Sequence, residues 1–177
     1  MDVIVLAGGR STRMGRDKAQ VRIKGTRLID ALLSSLPPLS SPIVVSPFDL
    51  GIPTVSEEPP FGGPVAGIAA ALPSVSSDLV GVLAVDAPRS GEALALLADA
   101  LSGAPDADAA AAVDADGRLQ PLCAVWRRSA LAAAVDRTGT RDVAVKALYS
   151  GVDAITVETG GLERDYDTPA ELAELER

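Results

Sequence analysis

Four short segments hold the residues whose types and spacing could do chemistry. The first is LAGGRSTRMGRDK, residues 6 to 18. Gly8 and Gly9, arriving directly after an apolar run, let the backbone approach a ligand with no Cβ in the way, and successive loop N–H groups can form an anion-binding concavity. Arg10, Arg13 and Lys18 add charge-assisted hydrogen bonds, arginine as a planar fork and lysine as a compact charge able to follow a phosphoryl group through its transition state. The pattern is not a Walker loop, since GxxxxGK[ST] is absent, and GxGxxG does not occur. A solvated surface turn could share this composition, so the segment is weighed with the other three.

The second segment is LAVDAP, residues 83 to 88, where an unbroken apolar run ends in Asp86. A carboxylate at the carboxyl end of a buried parallel strand lies where ligands bind in open α/β sheets, and Mg²⁺ typically takes one or two protein carboxylates beside phosphate oxygens and water. A local cap on the turn before Pro88 is the plainer alternative. The third segment is DYDTPAEL, residues 165 to 172: Thr168, Pro169 and Glu171 have capping-box spacing, so Asp165 and Asp167 sit on a fixed turn from which they could complete a metal site with Asp86. The fourth, FGGPVAGI at residues 61 to 68, places Gly62 and Gly63 before a helix starting at Pro64, where main-chain groups could read a nucleobase. Glu57 and Glu58 just upstream could accept hydrogen bonds from purine N–H donors, or simply face solvent.

Composition narrows the chemistry. The 177 residues contain no histidine, which removes the commonest general base and transition-metal ligand, so any metal must sit on oxygen. Cys123 stands alone among apolar neighbours and reads as a small buried hydrophobe. Seven basic and two acidic residues fall in the first 27, giving that end +5 within a chain of net charge -8. A chain acidic overall with one local basic patch suits a small phosphorylated ligand and not a nucleic acid. No stretch reads as a signal peptide or membrane span, so a cytoplasmic protein without membrane contact is expected.

The elements that must position these groups alternate between apolar runs and helix-like segments, the pattern of a largely parallel sheet with crossover helices. Strands are expected at Asp2 to Ala7, Ile43 to Ser46, Leu79 to Val85, Ala107 to Val113, Leu119 to Trp126 and Asp153 to Val157. Pro121 predicts that its strand lies at an edge or carries a bulge. Helices are expected from a Thr26 cap to Leu36, over Pro64 to Leu72, from a Ser90 cap to Leu101, over Ser129 to Val135 and Arg141 to Tyr149, and finally from Pro169. No repeat or long linker divides the chain, so one domain over residues 1–177 is expected.

Taken together, LAGGRSTRMGRDKA, GPVAGI (63 to 68), VDAP (85 to 88), QPLCAVW (120 to 126) and DTPAEL (167 to 172) resemble, in order and spacing, the MobA-like nucleotidyltransferases, most closely their molybdenum cofactor guanylyltransferase branch. The resemblance implies a three-layer α/β/α Rossmann-like fold that binds Mg-GTP, transfers GMP to the terminal phosphate of molybdopterin and releases pyrophosphate. It implies nucleotide contacts at Leu6, Ala7, Gly8, Gly9, Gly63, Pro64 and Gly67. Arg13 would hold the β- and γ-phosphates and Lys18 the α-phosphate, so that Arg13, Lys18 and Asp86 are the catalytic set. Asp86 and Asp167, with Asp165 as the lesser candidate, would bind Mg²⁺. Gln120, Pro121 and Arg141 would face the acceptor, which a molybdenum cofactor delivery or acceptor protein could bring or collect. Two departures keep a CTP-dependent molybdopterin cytidylyltransferase, or a transferase for another small metabolite, as the alternative. Many relatives carry Asn where this chain has Asp165 and Asp167, and residues 46 to 49 lack an expected Asn. A nucleotide-binding module without turnover is the third reading.

Overall fold

The structure is a computed structural model in which residues 1–9, 17–168 and 171 are described. Strand β1 (Asp2–Leu6) shows why the chain folds in layers: all of Val3, Ile4 and Val5 are buried, but Val3 and Val5 join one core cluster and Ile4 the other. A strand whose alternate side chains are both apolar must be covered on both faces. The covering elements are α1 (Leu28–Ser35) and α3 (Leu94–Ser102) on one side, with α2 (Pro64–Ala71) and α4 (Arg128–Thr138) on the other. The expected three-layer α/β/α arrangement is the one found.

The central sheet also contains β4 (Ser41–Val45), β5 (Leu79–Ala84), β6 (Ala109–Val113), β7 (Leu119–Arg127) and β8 (Ala154–Glu158), in the order β4-β1-β5-β7-β6-β8. Only β7 runs against the others, pairing antiparallel with both β5 and β6. Pro42 is tolerated in β4 because that strand is an edge. Pro121 is not at an edge, contrary to one branch of the expectation; β7 lies inside the sheet. The other branch holds: the β6–β7 register jumps from Ala111↔Ala124 to Ala112↔Gln120, so Pro121 falls in a bulge where its missing N–H breaks no ladder.

Three helix expectations change. Thr26 does not cap α1; with Arg27 it forms β3 (Thr26–Arg27), which pairs with β2 (Arg22–Ile23) across a two-residue turn whose members Lys24 and Gly25 both have positive φ, at 49° and 85°. The helix instead begins at Leu28, and the Arg27 guanidinium reaches forward to the Asp30 carboxylate through two 2.7 Å bonds. Ser90 starts a 3₁₀ turn (Ser90–Ala93) ahead of α3, its hydroxyl donating back to the Ala87 carbonyl at 2.7 Å. The helix expected from Arg141 to Tyr149 is only a 3₁₀ segment, Val145–Tyr149, because Asp142 adopts a left-handed φ of 55° and gives its N–H to the Gly62 carbonyl at 2.8 Å. Pro169, the expected start of the last helix, lies outside the described residues. No helix among the described residues is long and apolar enough to cross a membrane.

One buried carboxylate ties the far end of the sheet together. Asp2, 6% exposed, accepts hydrogen bonds from the Ser76 and Ser77 amides at 2.6 and 2.9 Å and from the Ser76 hydroxyl at 3.2 Å. Burial pushes its pKa up, but these hydrogen bonds outweigh burial and hold it below the ordinary carboxylate value. Asp2→Ala strands two amides, and should lower stability at pH 7 by about 1–3 kcal/mol. Because the folded-state pKa is depressed, the contribution is complete above the unfolded value of about 3.9 and fades as pH falls through the folded value. Calorimetric melting of both proteins across this range should show the gap closing with acid; a gap independent of pH would refute the charge-assisted clamp.

Candidate active site

The register of the parallel strands builds the site. Leu6 pairs with Val45 on one side and Ala84 on the other, so β1, β4 and β5 end at one level. Two more main-chain bonds, Ala7 N–H to the Val45 carbonyl at 2.8 Å and Val85 N–H to the Leu6 carbonyl at 3.0 Å, hold the first residues beyond the strands. A cleft of about 610 Å³ opens above these carboxyl ends. Leu6, Ala7, Gly8, Gly9, Lys18, Gly63, Pro64, Gly67, Asp86 and Asp167, all named from the sequence, line it. Arg13 lies outside the described residues.

Local chemistry sets each wall. A Cβ on Gly8 would come 2.4 Å from Pro47 Cδ and 3.2 Å from Ser46 Cα, so only glycine lets the turn after β1 pass against the turn after β4. Gly63 precedes α2 with φ 95° and ψ 176°, a conformation that side chains disfavour, and Pro64 takes the first helical position. The loop leading to it is fastened from below: the Gly62 N–H donates to Glu57 Oε1 at 3.0 Å. Phe61, whose ring lies 5.9 Å from that of Phe48, gives this end of the cleft an apolar wall.

The charged groups converge from three distant places in the chain. Lys18 opens a short 3₁₀ turn (Lys18–Gln20) capped by the Asp17 side chain, which accepts the Ala19 N–H at 3.1 Å; Ala19 is fully buried, and this pins the lysine's base. The Lys18 ammonium donates to Asp167 Oδ1 at 2.6 Å and lies 3.6 Å from Asp86 Oδ2. Its side chain is 12% exposed, against 32% for Asp86 and 51% for Asp167. Asp86's pKa is raised: loss of solvent pushes it up, the Lys18 charge pulls it down, and the Asp165 and Asp167 charges push it up again. Two carboxylates thus already converge on a cation. An all-oxygen donor pair of this kind suits Mg²⁺, which keeps its remaining positions for phosphate oxygens and water.

Asp167 is itself held in place. Glu171 accepts the N–H groups of Asp167 and Thr168 at 2.9 and 2.8 Å and the Thr168 hydroxyl at 2.9 Å, while its own N–H donates to that hydroxyl at 3.2 Å. This is the reciprocal capping box read in the sequence. Tyr166, between the two aspartates, is buried in the core, and its N–H donates to the Asp86 carbonyl at 2.9 Å, stitching the C-terminal segment to the end of β5. Asp165 is exposed and lies outside the cleft lining.

The acceptor-side residues sit one step away from the lining. Gln120 donates to Asp114 Oδ2 at 3.2 Å, the Pro121 carbonyl accepts the Tyr149 hydroxyl at 3.1 Å, and Arg141 Nη1 donates to the Pro59 carbonyl at 2.6 Å. Their chain neighbours Leu122 and Asp142 line the cleft instead. Sequence reasoning missed these two, together with Phe61, Pro47 and the Tyr166 anchor. The Tyr166 signal was readable, since a single aromatic between two acids alternates buried and exposed; nothing local marks Asp142. Cys123 is buried, and burial together with the Glu163 charge pushes its thiol up to about 12, which removes it as a nucleophile.

Comparison with known proteins fits this geometry. The MobA-like NTP transferase domain matches residues 3–154. The molybdenum cofactor guanylyltransferase of Burkholderia lata is 32% identical over an alignment covering 98% of this chain and 94% of its own. Among solved structures, molybdopterin-guanine dinucleotide biosynthesis protein A from Archaeoglobus fulgidus superposes with a TM-score of 0.75 at 22% identity, covering 99% of this chain and 97% of that one. The 2-C-methyl-D-erythritol 4-phosphate cytidylyltransferase of Thermus thermophilus gives 0.70 at 21% identity, covering 99% and 96%. These last two likenesses show the fold; the domain match and the near full-length relative show the lineage, and this chain belongs to the MobA-like NTP transferase family of nucleotidyltransferases.

Proposed function

We propose that this protein is a molybdenum cofactor guanylyltransferase, moving GMP from Mg-GTP to the phosphate of molybdopterin. The observation that carries the reading is the convergence of Lys18, Asp86 and Asp167 at the mouth of a cleft floored by the Gly8–Gly9 turn, in a chain whose near full-length relative bears that name. The cleft lining and, for Arg13, the resemblance of the sequence to the family support the roles. The glycine turn offers main-chain N–H groups to phosphate oxygens, with Arg13 as the cation for the β- and γ-phosphates. The guanine rests toward Phe61, Gly63 and Pro64, with Glu57 able to accept its N–H donors. Asp86 and Asp167 would hold the Mg²⁺, which when bound would neutralise part of the triphosphate charge.

The reaction is an in-line displacement. A phosphate oxygen of the acceptor forms a bond to the α-phosphorus, the bond from that phosphorus to the bridging oxygen breaks, and pyrophosphate departs with the electron pair. The nucleophile is already anionic, so no protein base is required, and a chain without histidine loses nothing. Lys18 is the group that must act: its ammonium, shielded from solvent and aimed at the carboxylate pair, stands beside the α-phosphate and stabilises the charge that gathers there. On this proposal residues 1–177 act as one catalytic domain, in the cytoplasm.

Pyrophosphate release from GTP, CTP and ATP in turn, each with Mg²⁺ and molybdopterin, tests the reading. Release should be selective for GTP and vanish when either metal or pterin is omitted; selectivity for CTP would instead assign the cytidylyl branch, and silence with bound nucleotide would favour the module without turnover. In the same assay Lys18→Ala and Asp86→Ala, made separately, should each lower turnover on the order of 10²- to 10³-fold. Wild-type turnover in either variant removes that residue from the chemistry.

A further inference from the structure

Residues 57 to 63 belong to the loop between β4 and α2, and three of them, Glu57, Phe61 and Gly63, line the cleft. A loop that has no strand or helix bonds of its own needs partners from elsewhere to hold one shape. Here they come from a distant part of the chain. Arg141 Nη1 donates to the Pro59 carbonyl at 2.6 Å across a separation of 82 residues, and the Asp142 N–H donates to the Gly62 carbonyl at 2.8 Å. Glu57 completes the set from within the loop, accepting the Gly62 N–H at 3.0 Å.

Arg141 does more than reach one carbonyl. A Cβ built on Gly62 would stand 2.9 Å from its Nη1 and 3.1 Å from its Cζ, so the guanidinium occupies the space that a side chain at residue 62 would take. Phe61, directly before Gly62, has φ 66°, a left-handed conformation that is an outlier for a bulky residue and persists only where its surroundings are fixed. Pro59 and Gly62, on either side of Pro60 and Phe61, are the two residues that the 141–142 segment holds. The cleft lining shows the division of labour: Glu57, Phe61 and Gly63 belong to it, while Pro59, Gly62 and Arg141 do not. Arg141 is placed to hold the wall and not to touch what the cleft contains.

We propose that Arg141 is a positioning residue for nucleotide binding: through Pro59 and Gly62 it fixes the wall formed by residues 57 to 63, and it acts on the nucleotide only through that wall. The inference rests on the functional reading above, in which this wall meets the guanine. It departs from the acceptor-facing place that the resemblance of the sequence implies for Arg141.

The test compares full-length wild type with Arg141→Ala and Arg141→Lys. Calorimetric titration with GTP and Mg²⁺ should show the dissociation constant rising on the order of 10-fold in Arg141→Ala, and steady-state transfer should show the KM for GTP rising with it while the KM for molybdopterin keeps its wild-type value. Hydrogen exchange of the Gly62 amide should quicken on the order of 10-fold, whereas the amides of β1 and β5 keep their protection and so certify the fold. Arg141→Lys retains a cationic donor for the Pro59 carbonyl and should recover part of both the affinity and the protection. A raised KM for molybdopterin with GTP binding intact would put Arg141 on the acceptor and overturn the inference, as would wild-type GTP affinity in a folded Arg141→Ala protein. Weakened GTP binding with an unchanged Gly62 amide would make the contact direct and overturn it too. Wild type that fails to transfer GMP to molybdopterin overturns the functional reading; the Gly62 amide and the affinity for whichever of GTP, CTP and ATP binds then still decide the inference.

Discussion

Everything that acts in this protein follows from one rung of parallel hydrogen bonding. Leu6 is the middle of three residues, with Val45 on its left and Ala84 on its right, and the main-chain bonds of Ala7 and Val85 extend the rung by one residue. Parallel strands in register end together, and a strand end is where the chain turns out of the core. The Gly8–Gly9 turn, the Ser46–Pro47 turn and Asp86 are therefore neighbours although 77 residues separate Gly9 from Asp86. A slip of one residue in either pairing would turn Val3 and Val5 into the core cluster that holds Ile4 and Ile4 into theirs, so the fit of two different cores enforces the register that the site needs.

The cationic and anionic groups are then brought to this edge by separate devices, each rigid on its own. Lys18 rises from a capped 3₁₀ turn seated on buried Ala19. Asp86 is an extension of a buried strand. Asp167 comes from the far end of the chain, where Tyr166 is sunk in the core and Glu171 braces the turn. The Lys18 ammonium lies against both carboxylates, 2.6 Å from Asp167 and 3.6 Å from Asp86, so the fold itself gathers the three charged groups at one point. The same arrangement is built from lysine and carboxylates alone, in a chain that contains no histidine.

The antiparallel strand β7 widens this edge. Leu122, next to the bulge at Pro121, lines the cleft, and so does Asp142 from a left-handed turn. Both are local departures from regular structure, and both lie at the wall of the cleft. The interruption at Asp142 also accounts for the missing helix over residues 141 to 149: a long-range bond to Gly62 replaces the local one that would have continued it.

The layers and the glycine-lined floor of the cleft are written in the order of the amino acids. Apolar runs such as VIVL and LVGVLA have no polar face, so they can only be central strands, and Gly8, Gly63, Pro64 and the Thr168–Glu171 box report backbone geometry that few other residues would permit. Their chemistry is local, and local chemistry is legible in a string of letters. The outer wall of the cleft was not legible to the residue: Leu122 and Asp142 line it, while Gln120, Pro121 and Arg141 lie beside it. A bulge shifts which side chain faces a ligand by one position, and the bond from Asp142 to Gly62 spans 80 residues. The folded chain settles such matters, because they depend on where two distant backbones meet and not on what either prefers alone.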